Sequence, residues 1–330
     1  MLGLESARPG DSTIIYPHMT TPSASTQPAF YPIGSPGRPW GPAEVARWRD
    51  TQTRQRSYAD DVLRAVGGLR NRQEVETYGE VVYGDERYPL QAVRLGDWRS
   101  DRPAVLVTGG VHGYETSGVH GALHFLEHHA QAYAERLRLL VVPCVSPWAY
   151  ERIHRWNFHA IDPNRAFRHP SPTPEAAALM ELVAPLAGEY MAHIDLHETT
   201  DTDESEYRPA KAARDGEPFE PGSIPDGFYL VDDAENPQPA FQRAIIDAVA
   251  QVTHIAEADL QGELIGSPQV DRGVIRYPLR EWGLCGSISG ARYTTTTEVY
   301  PDSPRTTPQA CVHAQVVAVC AALDFVLAQV

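Results

Sequence analysis

Apolar positions along the chain fall into two kinds of pattern, helix-spaced stretches and short continuous runs. Between residues 42 and 66, Val45, Trp48, Tyr58, Val62, Leu63 and Val66 recur at roughly helical spacing, and Gly67-Gly68 supplies a stop. The stretch EVVYGDERYPLQAVRLG predicts a strand pair turning at Gly84-Asp85. Residues 104–108 form an apolar run bounded by Pro103 and Gly109-Gly110, which suits a strand buried on both faces of a parallel sheet. A helix is expected over 117–135, a buried strand over 137–145 and a helix over 173–188. A third run, 190–196, ends on His197. Strand 227–231 and helix 239–254 follow, then a β-prone segment, 293–299, and an amphipathic terminal helix, 309–328. Strands alternating with helices indicate α/β architecture. Residues 1–40, rich in Pro, Ser and Thr and without period, read as an extended N-terminal arm; 41–330 reads as one domain with no internal repeat.

Composition narrows the function classes. The chain has 330 residues, 42% of them hydrophobic, enough for a large core. Its net charge is −15, from 43 acidic and 28 basic side chains, which argues against a nucleic-acid binder and against docking on anionic lipid. No stretch approaches 18 consecutive apolar residues, and the N-terminus lacks the basic and apolar regions of a secretory signal. Cys144, Cys285, Cys311 and Cys320 show no C-x-x-C pairing, so neither a disulfide framework nor a thiolate metal site is expected. These features together predict a reduced, cytoplasmic location.

Chemistry gathers at the strand ends, where open α/β sheets bind ligands. After the first buried run comes GGVHGYE, in which His112 and Glu115 are three residues apart, a spacing that aims both side chains at one point in a turn leading into a helix. The run 190–196 delivers His197, within DLHET. Two His and one Glu, with a position left for water, make a catalytic zinc arrangement. Asp195 shares the strand face of His197 and could partner it. Within DPNRAF, Asn164 and Arg165 offer an amide and a planar fork for a carboxylate, or else Arg165 serves a surface salt bridge. Upstream, either Arg152 or Arg155 could support an oxyanion. Glu298, near the end of a β-prone, otherwise uncharged run, is either a general base or an exposed edge-strand residue. The acidic stretch from Glu198 to Glu206 reads as a solvated loop, or as a site for a cationic group. GSISG (286–290) is not a G-x-S-x-G elbow, because its Ser289 is displaced by one position.

In order, HGYE (112–115), DPNRAF (162–167), DLHET (195–199) and TTTTEVY (294–300) resemble the zinc carboxypeptidase family over about residues 55–330. The resemblance implies a three-layer α/β/α fold with a mixed, roughly eight-stranded central sheet. It implies one zinc ion on His112, Glu115 and His197, with Glu298 as general base and acid. It further implies that Asn164 and Arg165 hold the substrate's terminal carboxylate and that Arg155 polarises the scissile carbonyl. Tyr277 lies where the family carries a mobile tyrosine. The expected activity is removal of a C-terminal amino acid from a peptide or peptide-like amide. The wording GG-x-H-G-x-E and DLH-x-T also resembles the aspartoacylase and succinylglutamate desuccinylase branch, whose activity would be release of an acyl group from an N-acyl amino acid. That branch carries a sizeable β-domain after its catalytic Glu, whereas 32 residues follow Glu298 here. A zinc-site binding protein without turnover is the third reading, and the presence of Glu298 argues against it. Residues 265–292, where side-chain specificity would be set, carry no legible pattern.

Overall fold

The computed structural model describes residues 31–330. Most of the expected N-terminal arm, residues 1–30, therefore lies outside the described residues. Of its remainder, Trp40 packs edge-on against Trp156 and its backbone N–H bonds the carbonyl of Arg214.

Eight strands form one mixed sheet: β1 (Glu74–Tyr83), β2 (Glu86–Leu95), β3 (Ala104–Gly109), β4 (Arg138–Val142), β5 (Tyr190–Glu198), β6 (Tyr229–Asp233), β7 (Val274–Tyr277) and β8 (Tyr293–Val299). Their spatial order is β1-β2-β4-β3-β5-β8-β6-β7. The central four, β4, β3, β5 and β8, are mutually parallel; β2 and β6 flank them antiparallel, with β1 antiparallel to β2 and β7 parallel to β6. Burial follows position: all six residues of β3 are buried, whereas β1 at the edge shows an exposed face. The predicted turn between β1 and β2 falls on Gly84-Asp85, with Gly84 in the left-handed region.

Helices α1 (Pro42–Thr51), α2 (Thr116–His128), α3 (Pro147–Arg152), α4 (Pro174–Val183), α5 (Arg208–Asp215), α6 (Pro239–Val249) and α7 (Pro308–Leu327) surround the sheet. Phe125, Phe241, Val319 and Leu323 of α2, α6 and α7 join Val105, Val107 and Ile194 in the main core on one face. On the other face Leu179 and Val183 of α4 pack with Leu106, Leu140 and Val142. These are the three layers that the sequence implied. By length and composition α7 could cross a membrane, but 56% of it is buried inside the protein, where it serves as a core helix.

The structure departs from the sequence reading in four places. The helical pattern over 42–66 is broken: α1 stops at Thr51, and helix resumes only at Ala59. Between them the backbone N–H groups of Gln55 and Arg56 turn to the carbonyl of Glu151, a tertiary bond that replaces helical ones. The helix expected over 117–135 is interrupted at His129, whose φ of −123° is not helical. The illegible 265–292 region contributes the edge strand β7. Finally, the acidic stretch is no solvated loop. Glu198 ends β5, and Asp203 begins a helical turn that runs into α5.

Candidate metal centre

Three parallel strands deliver the centre. After β3 the chain turns through Gly110, at φ +62°, a conformation that costs an L-residue with a side chain. At Gly113 a Cβ would lie 2.0 Å from the backbone carbon of Ala149, so the turn can press against α3 only because no side chain intervenes. Glu115 is the residue immediately before α2. The α2 terminus is held by Glu198, whose carboxylate accepts from the N–H groups of Thr116 (3.1 Å) and Ser117 (2.6 Å). Burial pushes the Glu198 pKa up to about 7.

His112, Glu115 and His197 are all buried, and one ligand atom from each lies within 4.8 Å of the other two. His112 turns Nδ1 to Glu115 Oε1 at 2.6 Å, and His197 turns Nδ1 to Glu115 Oε2 at 2.8 Å. The second contact is close but not aligned as a hydrogen bond, which leaves Glu115 Oε2 buried without a partner. Each imidazole is held from behind: His112 Nε2 meets Asp162 Oδ1 at 3.0 Å, and His197 Nε2 meets Asp195 Oδ2 at 2.8 Å. Imidazoles that donate Nε2–H to these carboxylates present Nδ1 as a lone pair, and two lone pairs and a carboxylate facing one point suit a metal cation there, or a proton in its place. Burial disfavours charge on His197, yet Glu115 and Asp195 on either side hold its pKa well above the usual histidine range, the same demand for positive charge. The three residues therefore fit a divalent metal with nitrogen and oxygen donors.

Glu298 stands beside the triad because β8 pairs with β5 in a register that sets Glu298 opposite His197. Its Oε2 accepts from the Thr199 hydroxyl at 2.8 Å, which lies 2.7 Å from Tyr229 Oη. Burial raises the Glu298 pKa to about 8; His197 opposes the rise and Glu115 and Asp203 add to it. A cavity of about 310 Å³ is lined by His112, Glu298, Arg155, Asn164, Arg165 and Tyr277 among others.

The remaining candidates separate. Arg155 Nε donates to Asp162 Oδ2 (3.1 Å), and its Nη1 donates to Tyr114 Oη (2.9 Å) and Asp203 Oδ1 (3.1 Å). Its guanidinium also lies over the Tyr207 ring. Arg152 is not among the residues lining this cavity: it pairs with Glu86 and lies over Trp148. Asn164 Oδ1 accepts the backbone N–H of Cys285 at 2.7 Å, while Arg165 is exposed at the cavity wall. Tyr277 ends β7 against Trp282, with ring centroids 4.8 Å apart. In the acidic stretch, Asp203 meets Tyr114 and Arg155, Glu204 meets Arg208, and Glu206 accepts from Tyr31. The protein's own groups answer those charges. Sequence reading assigned no role to Asp162, Thr199 or Tyr229, and took Asp203 only as part of the acidic stretch. Asp162 alone left a trace, as an Asp before Pro163 whose Oδ1 accepts the N–H of Asn164 at 2.8 Å.

Residues 101–216 match the model of the succinylglutamate desuccinylase/aspartoacylase catalytic domain. Among solved structures, a candidate metallopeptidase from Shewanella amazonensis SB2B superposes with a TM-score of 0.61 at 21% identity, covering 84% of this chain and 99% of that one. A candidate metallopeptidase from Shewanella denitrificans OS217 gives 0.60 at 22% identity, over 81% and 89% of the two chains. A metallo-carboxypeptidase from Burkholderia cenocepacia gives 0.57 at 14% identity, over 88% and 70%. No curated protein matches the sequence. At such identities the structural likeness is one of fold. The chain is thus similar to the desuccinylase/aspartoacylase catalytic domain over residues 101–216, and to the metallopeptidase structures in its fold.

Proposed function

We propose that this protein is a zinc-dependent hydrolase that removes a C-terminal amino acid from a peptide or peptide-like amide. The observation that carries the reading is one shared cavity: His112 of the ligand set, the half-buried carboxylate of Glu298, and the Asn164–Arg165 pair all line it. His112, Glu115 and His197 would hold the zinc, a metal suited to two imidazoles and a carboxylate. When bound, zinc supplies Lewis-acid polarisation of the scissile carbonyl and of the attacking water. Glu298 takes the water's proton and returns it to the leaving amine; Oε1 is its free oxygen, since Oε2 is tied to Thr199. Arg165 and the Asn164 amide nitrogen bind the substrate carboxylate, and Tyr277 closes the cavity beside them. Arg155, with Nε and Nη1 engaged, supports the oxyanion through Nη2.

A second reading, release of the acyl group from an N-acyl amino acid, is favoured by the family match over 101–216. Both readings require a free carboxylate next to the cleaved amide. Turnover of an N-blocked dipeptide and of an N-acyl amino acid, before chelation, after it, and after zinc return, separates them. Zinc-dependent cleavage of the dipeptide alone is the expected result. Preference for the N-acyl amino acid favours the second reading, and a zinc-loaded protein idle on both overturns the two together.

A further inference from the structure

The alternation that brings His197 to the metal centre extends backwards along β5. His193, Asp195 and His197 share one strand face and are at most 1% exposed, an arrangement that a merely packed strand would fill with apolar side chains. The neighbouring strand sets Thr108 opposite Asp195. Its hydroxyl lies 2.6 Å from Asp195 Oδ1, 3.0 Å from His193 Nε2 and 3.6 Å from Cys285 Sγ. His193, Asp195 and Cys285 could by themselves suggest a second metal site, with one ligand atom from each within 4.8 Å of the others. Thr108 Oγ1 touches all three, however, and so occupies the place an ion would take.

The protons in this cluster can be assigned. Ionised Asp195 only accepts, so Thr108 donates its single proton to Oδ1 and must accept from His193, which therefore carries its proton on Nε2. Burial lowers the His193 pKa to about 4, so the ring is neutral and Nδ1 is an acceptor. Nδ1 lies 3.3 Å from both Ser289 Oγ and the carbonyl of Gly286, and of these two only the hydroxyl can donate. Ser289 Oγ in turn accepts from the N–H of Ala291. At the other end, Asp195 Oδ2 accepts from His197 Nε2.

We propose that Thr108 and His193 are positioning residues for the metal centre, links in a one-way hydrogen-bond chain from Ser289 through His193 and Thr108 to Asp195, which accepts from His197 on its other oxygen. The chain holds His197 with its proton on Nε2 and its Nδ1 lone pair toward Glu115. The proposal rests on the metal-centre reading, and it gives Ser289 of the GSISG segment a role that is not nucleophilic.

The test compares zinc affinity, by competition with a chromophoric chelator, in the wild type, Thr108→Val, Thr108→Ser and Ser289→Ala. Removal of such outer partners lowers metal affinity by about 10–100-fold. Thr108→Val, nearly isosteric, is expected to weaken zinc binding by about 10-fold or more, and Thr108→Ser to restore it to within about threefold, on the same scale. Ser289→Ala frees His193 to move its proton to Nδ1 and donate to Gly286. Nitrogen-15 NMR of the imidazoles should report that tautomer change, against an Nε2–H form in the wild type. Wild-type-like affinity in Thr108→Val, or an Nδ1–H form of His193 in the wild type, overturns the proposal. A wild type that takes up no zinc overturns the metal-centre reading itself, a different failure from an unchanged mutant ratio. A role confined to packing would instead lower the apo-protein's thermal midpoint and leave the chelator competition unmoved.

Discussion

Replacing Asp162 by Asn would test how far the site depends on one carboxylate behind His112. Asp162 is 4% exposed and accepts four hydrogen bonds, from His112 Nε2 and Asn164 N on Oδ1 and from Arg155 Nε and Tyr207 Oη on Oδ2. An amide has one oxygen, so whichever way it is set, its NH₂ group faces buried donors. Breaking a buried ion pair from one side costs about 3–5 kcal/mol, and Asp203 still meets the other side of Arg155, so the lower end, about 3 kcal/mol, is the expected loss. Metal affinity should fall by about 10–100-fold as His112 loses its orientation. Urea unfolding of the apo-proteins and chelator competition measure the two effects separately. The pH dependence carries a sign. Burial would raise the Asp162 pKa, but Arg155 and His112 hold it well below the usual carboxylate range. A carboxylate depressed on folding contributes stability in full above its unfolded value of about 4, and loses it as pH falls below that, through the folded value. The wild type should therefore lose more stability than Asp162→Asn between about pH 4 and more acid conditions. A mutant within about 1 kcal/mol of wild type, with unchanged metal affinity, would refute the argument.

Two further outcomes follow from the same geometry. Glu298→Gln keeps the ligand set and Thr199 as a neighbour, so zinc content should hold while turnover falls by about 10²–10⁴-fold; zinc analysis beside steady-state kinetics checks it, and near-full activity refutes the base assignment. Arg152→Ala removes a pairing to Glu86 and a stack on Trp148, but Glu86 retains Arg54. A stability loss of about 1–3 kcal/mol with kcat/KM within about twofold of wild type is expected from thermal unfolding and kinetics.

The central sheet was legible because its strands are buried on both faces and so read as apolar runs. β3, β5 and β8 were each placed to within about two residues, close to what assignment methods themselves disagree by. β7 was not. It is four residues long, lies at the sheet edge and is half-exposed at Arg276-Tyr277, so its pattern carries neither a continuous run nor a clean alternation. The helix over 42–66 was overextended for a different reason. Its apolar spacing is real, and Trp48, Tyr58, Val62 and Val66 are all buried, but the break between them is made by hydrogen bonds to Glu151, about a hundred residues away. A periodicity records which face is buried and is blind to what interrupts the backbone.

The site divides in the same way. His112 and Glu115 share a turn, and His197 and Glu298 end adjacent strands whose apolar character announced them, so residue types near strand ends were enough to gather them. What holds those groups in place is built from pairs far apart in sequence: Arg155 with Asp203, Thr199 with Glu298, Asp162 with His112. No local spacing encodes such partners. One signal was read only in part: the alternation paired Asp195 with His197, but His193, next on the same face of a strand otherwise apolar at those depths, was left out. A polar residue at every second position of a fully buried strand has to be satisfied from a neighbouring element, and Thr108 and Ser289 satisfy it here. The acidic stretch makes the converse point. By composition, Glu198, Asp203 and Glu204 read as a solvated loop or as a site for a cationic group, yet each finds its donor inside the chain, at the α2 terminus, Arg155 and Arg208. At the triad the same accounting leaves Glu115 Oε2 without a hydrogen bond and two imidazole nitrogens turned toward one carboxylate. Among the described residues Glu115 thus keeps a buried carboxylate oxygen with no hydrogen-bond donor, at the point both imidazoles face, where a ligand can answer it.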